Sequence, residues 1–141
     1  MPETELSLTL VANIESLEAF TSFARRAGHQ ASLPAERLDE LDLLIEEILM
    51  NVFRYGFPPS EPGTVTLTCS VPAQGELLLE VADQGREFNP LDVPMPDLTL
   101  DLEDRPIGGL GIFLVKQYAK PLQYRREHGW NRLTFGISAH A

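Results

Sequence analysis

Gly108-Gly109-Leu110-Gly111-Ile112-Phe113-Leu114-Val115 joins a long Pro- and Asp-rich loop to an apolar helix, Ile112 to Ala119, with Pro121 just beyond to break it. Glycines at such a junction let bare backbone N–H groups face an anion at a helix N-terminus, where the dipole favours negative charge. Two upstream segments add weight. Glu47-Ile48-Leu49-Met50-Asn51 lies inside a predicted helix, and Asp83-Gln84-Gly85-Arg86-Glu87-Phe88 follows a predicted strand. A helical carboxylate and amide, an Asp-x-Gly turn and a Gly-rich helix start, in that order, are the parts of one nucleotide site.

The flanking elements set the fold class. Leu6 to Leu10 alternates at period two and reads as a strand. Asn13 caps a helix predicted from Ile14 to about Ala27, ended by Gly28. Pro34 opens a second helix, whose face is Leu38, Leu41, Leu44, Ile45, Ile48, Val52 and Phe53, and which stops at Gly56. Strands follow from Gly63 to about Val71 and from Glu76 to Ala82, turned by Gln74-Gly75. After the loop and the Gly-rich helix, Leu122 to Glu127 and Arg132 to Ile137 read as a hairpin around His128-Gly129, with Asn131 able to shift the register. The order strand, helix, helix, two strands, loop, helix, two strands excludes a parallel Rossmann sheet. It predicts an α+β, two-layer sandwich whose antiparallel or mixed sheet carries helices on one face.

Composition limits the partners. A chain of 141 residues favours a single domain, 1–141, and 43% hydrophobic residues argue against disorder. A formal charge of −10 argues against direct nucleic-acid binding. The single cysteine, Cys69, sits in a strand pattern and forms no internal disulfide or Cys-rich metal site. The acidic start Met1-Pro2-Glu3-Thr4-Glu5 is no signal peptide, and no apolar run spans a bilayer. A cytoplasmic setting, with no membrane partner, is the expectation.

Within the site, Glu47 and Asn51 are four apart and share one flank of a helix. The carboxylate suits a general base, and the amide oxygen suits Mg²⁺ or its water. A solvated face is the alternative, but Asn is a poor helix former and sits here among apolar residues. Arg54 and Tyr55 continue the flank, for a phosphate and a base, or as a surface cation and a half-buried aromatic. Asp83, at a strand end, suits the exocyclic amine of adenine, with Gly85 allowing close approach to the ring; an ordinary Asp-x-Gly turn is the competing reading. Gly108, Gly109 and Gly111 suit phosphates, though Gly111 also suits close helix packing. No Gly-Lys-Ser/Thr follows them, so they are not a P-loop.

These residues resemble the Bergerat-fold ATP-binding superfamily of DNA gyrase, heat-shock chaperones, mismatch-repair ATPases and sensor histidine kinases. Glu47-x-x-x-Asn51 resembles its N box, Asp83 to Pro90 its first glycine box and Arg105 to Val115 its second. The form Gly-Gly-Leu-Gly-Ile-x-Leu-Val is most similar to the bacterial anti-sigma factor serine-protein kinases. The resemblance implies a mixed, mostly antiparallel sheet backed by helices, and ATP and Mg²⁺ as cofactors. It implies Glu47 as the base on an acceptor hydroxyl, Asn51 on Mg²⁺ and Asp83 on the adenine amine. Gly108, Gly109, Leu110 and Gly111 would hold the phosphates. Residues 91–107 would form an ATP lid carrying Arg105, and Thr134 would support the adenine-side hydrogen bonds. The implied partners are a sigma factor and a small antagonist protein; family members also commonly form homodimers. Two features depart from the pattern. Glu87 stands where the family often has glycine or proline, and Tyr55-Gly56-Phe57 replaces His-Gly-Tyr. A protein-serine/threonine kinase is therefore the leading expectation. The alternative is a non-catalytic, nucleotide-gated partner-switching module with the lid as its bistable element. A generic domain without nucleotide comes last.

Overall fold

Alternation along β2 (Thr64–Ala73) decides which side of the sheet is wet: Val65, Leu67 and Cys69 are buried, while Thr66 and Thr68 are half-buried on the other side. The computed structural model describes residues 5–58, 60–92 and 109–139. Within them β2 joins β1 (Glu5–Val11), β3 (Glu76–Asp83), β4 (Leu122–Glu127) and β5 (Trp130–Ser138) in one sheet of order β1-β2-β3-β5-β4. Every pairing is antiparallel. Cross-strand rows run over the whole sheet: Leu8, Leu67, Val81, Leu133 and Tyr124 lie side by side, and two residues along, Leu10, Val65, Asp83, Asn131 and Arg126 form the next row in the same phase. The outer face carries hydroxyl pairs, Ser7 with Thr68 at 2.8 Å and Thr9 with Thr66 at 2.7 Å, and an ion pair of Arg132 with Glu80 at 2.8 Å.

The inward face is covered by α1 (Leu17–Gln30), α2 (Ala35–Tyr55) and α3 (Gly109–Tyr118), with α2 between the other two. Phe20 and Ala24 of α1 and Leu41, Leu44, Ile45, Ile48, Leu49 and Val52 of α2 are buried, each large side chain contributing about 1.5–3 kcal/mol of burial. The three-to-four spacing predicted this stripe, apart from Leu49, which also packs inward, and Phe53, which is only partly buried.

Three boundaries differ from the sequence reading. Asn13 caps a short 3₁₀ turn, Ile14–Ser16, by accepting the Glu15 N–H at 3.1 Å, and α1 proper starts at Leu17. Gly28 does not end α1, which runs on to Gln30. A Cβ there would fall 2.6 Å from Leu38 Cδ2, so the glycine lets α2 approach. The reversal is made instead by Ser32, at φ 61. Helix α3 begins at Gly109, three residues before Ile112, so Gly109 and Gly111 lie in its first turn. The His128-Gly129 turn holds: both residues have positive φ, 53 and 84, as a two-residue hairpin requires, and Asn131 pairs with Arg126 in the regular register. Cys69 is buried, and burial pushes its thiol up to about 12.

Candidate functional site

The C-terminal half of α2 presents an unmet polar demand. Asn51 is 1% exposed, and neither its Oδ1 nor its Nδ2 has a partner among the described residues. The buried Oε1 of Glu47, one turn earlier, is likewise without a partner. Such groups are normally hydrogen-bonded, and each left bare costs about 1–3 kcal/mol. Burial raises the Glu47 carboxyl above the usual carboxylate range; the charge of Arg54 opposes this and Glu46 reinforces it. Asn51 is near enough to favour the charged form, yet the two side chains do not meet at hydrogen-bonding geometry.

The first turn of α3 lies directly against this flank. A Cβ on Gly111 would fall 2.0 Å from Glu47 Cδ, which bears out the helix-packing reading of that glycine. Beside the contact a cavity of about 170 Å³ is lined by Leu43, Leu44, Glu46, Glu47, Gly111 and Leu114. A larger cavity, about 480 Å³, lies at the other end of the sheet beside Glu76, Pro121 and Ser138, and it touches none of the predicted site residues.

Asp83 ends β3 at the same end as the last turns of α2. It is 3% exposed. Its Oδ1 accepts the Gly85 N–H at 2.9 Å and Asn131 Nδ2 at 3.0 Å. No described residue donates to Oδ2, which leaves an acceptor for a donor from outside. Burial raises this carboxyl, while Asn131, Gly85 and Arg126 pull it back down.

The loop after Asp83 is stapled on two sides. Arg86 N–H donates to Gly56 O at 3.1 Å, the Arg86 guanidinium donates to the Tyr55 carbonyl, and Arg126 Nη1 donates to Gly85 O at 2.8 Å. The glycine at 85 is explained by this staple: a Cβ would stand 2.2 Å from Gly56 O, so what the bare backbone approaches is the end of α2. Tyr55 is 38% exposed, and its ring packs against Phe88 with centroids 5.4 Å apart. Arg54 is exposed, with its charge felt at Glu47.

Thr134 is a correction. It pairs with Glu80 and Gln123 on the outer face of the sheet, away from Asp83, because strand alternation turns it opposite to Leu133 and Phe135. The residue beside Asp83 is Asn131, which in the sequence suggests only a register shift. A polar residue two past the hairpin turn, in phase with Leu133, Phe135 and Ile137, was the available signal. Arg105, Gly108 and residues 93–107 of the expected lid lie outside the described residues, as does the Leu110 side chain. Leu91 and Asp92, the expected start of the lid, sit in a 3₁₀ turn, Pro90–Asp92.

Among the described residues no cluster of three His, Cys, Asp or Glu is placed to hold a metal, and no helix is long and apolar enough to cross a membrane. An acceptor at Asp83, two bare polar side chains on α2 and a helix N-terminus beside them suit a ligand with an amine-bearing ring at one end and negative charge at the other.

The chain is similar to known proteins. Residues 10–137 match the family described as the histidine kinase-like ATPase domain. The chain is 32% identical over 130 residues to the serine/threonine-protein kinase BtrW of Bordetella bronchiseptica, spanning 92% of this chain and 88% of that one. It is 26% identical over 102 residues to the serine-protein kinase RsbW of Listeria monocytogenes, spanning 70% and 62%. This chain belongs to the histidine kinase-like ATPase domain family.

Proposed function

We propose that this chain is a cytoplasmic protein-serine/threonine kinase that works by partner switching. It binds ATP with Mg²⁺, sequesters a sigma factor, and phosphorylates a serine or threonine of a small antagonist protein. The observation that carries the reading is the Glu47–Asn51 flank, whose Glu47 Oε1 and Asn51 amide have no partner among the described residues, against the first turn of α3, in a chain whose relatives are named as protein kinases.

The residues fit the cofactor. Asn51 Oδ1 is a hard oxygen with no donor among the described residues, which suits Mg²⁺, an ion that takes one or two protein oxygens and completes its shell with phosphates and water. When bound, the ion neutralises charge on the phosphates. Asp83 Oδ2 accepts the adenine amine. The first N–H groups of an α-helix lack partners within it, so those at the start of α3 would serve the phosphates. Glu47 takes the proton of the acceptor hydroxyl as that oxygen bonds to the γ-phosphorus. The bond from the γ-phosphorus to its bridging oxygen breaks, and ADP leaves.

Glu87, exposed in the loop after Asp83, favours the second reading, a nucleotide-gated module without transfer, because its charge repels a triphosphate. Labelled γ-phosphate decides between them. The kinase transfers label from ATP to a serine or threonine of the antagonist. Binding of ATP and of both partners with no transfer leaves the module, and no ATP binding at millimolar nucleotide removes both.

A further inference from the structure

Asn131 is 4% exposed, and its side chain uses its whole hydrogen-bonding capacity. Its Oδ1 accepts the Tyr124 hydroxyl at 2.6 Å and the Phe88 N–H at 3.2 Å. Its Nδ2 donates to Asp83 Oδ1 at 3.0 Å and to Arg86 O at 2.8 Å. An amide can usually be turned over without penalty on paper. Here it cannot. The Phe88 N–H only donates and the Arg86 carbonyl only accepts, so a flipped amide would set donor against donor and acceptor against acceptor.

We infer that Tyr124 and Asn131 are positioning residues for base selection: they fix which oxygen of Asp83 is left for the nucleotide and so make the site prefer a purine bearing a 6-amino group. The inference rests on the ATP-binding reading above. With Oδ1 occupied by Asn131 and Gly85, only Oδ2 remains, and its direction is set by the amide plane. A 6-amino group meets that acceptor. A 6-oxo group sets oxygen against carboxylate, and a bare 6-position leaves the carboxylate unpaired.

Tyr124 acts at one remove. Without its hydroxyl, Oδ1 of Asn131 keeps only the longer bond from Phe88, and the amide is freer to turn away from Asp83. Burial pushes the Tyr124 hydroxyl above its ordinary value, so it stays protonated and donating through neutral pH. Arg126, two residues along the same edge strand, holds Gly85 O and bears on Asp83 by charge; Glu87 bears on Tyr124. The edge strand β4 thus governs a recognition group on β3 through β5.

The test compares ATP with purine riboside 5′-triphosphate, which lacks the 6-amine, by calorimetry on the full chain. Wild type should bind ATP roughly tenfold or more tightly than the analogue. In Tyr124→Phe that ratio should fall roughly threefold or more, with the analogue's own affinity close to wild type. Asn131→Ala should bring the ratio near unity. Tyr124→Phe removes one hydroxyl and keeps the ring, so it decides the matter alone if Asn131→Ala does not fold. Equal losses for both nucleotides, with the ratio unchanged, overturn the inference and leave the pair a merely structural role. A wild type that binds neither nucleotide shows the failure earlier, in the ATP-binding reading itself.

Discussion

Glu47 and Gly111 meet across two helices with no room between them: a methyl group on Gly111 would lie 2.0 Å from Glu47 Cδ and 2.2 Å from Oε2. The carboxylate assigned as base and the Gly-rich start of α3 are therefore one assembly, and a change in either moves the other.

Gly111→Ala should lose stability by about 1–3 kcal/mol through overpacking, although alanine is otherwise the better helix residue by about 1 kcal/mol. Glu47→Ala added to it should restore part of the loss. Urea unfolding of the two variants measures this; a Gly111→Ala protein as stable as wild type would show that the helices do not touch as described.

Glu47→Gln should lower phosphate transfer by about 10²–10⁴-fold and leave ATP affinity nearly unchanged. It should also raise the melting temperature at neutral pH. The folded carboxyl titrates above its unfolded value because burial disfavours the charge. Its favourable contribution is thus present at low pH and lost as pH rises through the folded value, so at neutral pH the charge is a cost that Gln removes. A lower melting temperature would contradict the burial argument.

For Asp83 the same sign reaches the ligand. ATP needs an ionised acceptor, so affinity should weaken as pH falls through a carboxyl raised by burial. Asp83→Ala should cost about 1–3 kcal/mol of ATP binding and remove that part of the pH dependence. Calorimetry across a pH series, with the 6-unsubstituted analogue as control, separates this from titration of the phosphates.

Asn51→Ala should weaken ATP binding far more with Mg²⁺ present than in EDTA, since the amide oxygen is assigned to the ion and not to the nucleotide. Paired titrations in the two buffers check it, and equal losses would take the metal role away from Asn51.

Gly28→Ala should cost about 1–3 kcal/mol of unfolding free energy, since its methyl would meet Leu38 Cδ2 at 2.6 Å where α1 crosses α2. Chemical denaturation reads this directly. No nucleotide effect is expected.

Periodicity made the two layers legible. Val65, Leu67 and Cys69 gave a strand face, and Leu41, Leu44, Ile45 and Ile48 a helix face, because burial imposes periods that survive in one dimension. Asn51 was legible as a poor helix former in an apolar run, and the structure finds it buried with no partner among the described residues. What failed was side-to-side information. Thr134 and Asn131 are three apart on one strand, an odd interval, so they face opposite ways; the phase of Leu133, Phe135 and Ile137 puts Asn131 inside, and only the pairing with Asp83 puts it at the site. Gly28 is a similar case. It reads as a helix stop, but it is small because α2 passes close by, and such approaches are tertiary facts; the approach of Gly85 to Gly56 O is another.

Cys69 offers a clock. It stands on β2 between Leu6 of β1 and Leu79 of β3, as the chain's single thiol, with its ionisation pushed up to about 12. Its side chain lies on the inward face with Val65 and Leu67, in the core under the helices, so a maleimide at neutral pH reaches it only when that core opens. Its labelling rate therefore reports how often the two layers separate, without any engineered tag. Comparing that rate with and without ATP would reveal whether a ligand at the Asp83 end tightens the contact between sheet and helices as far out as β2.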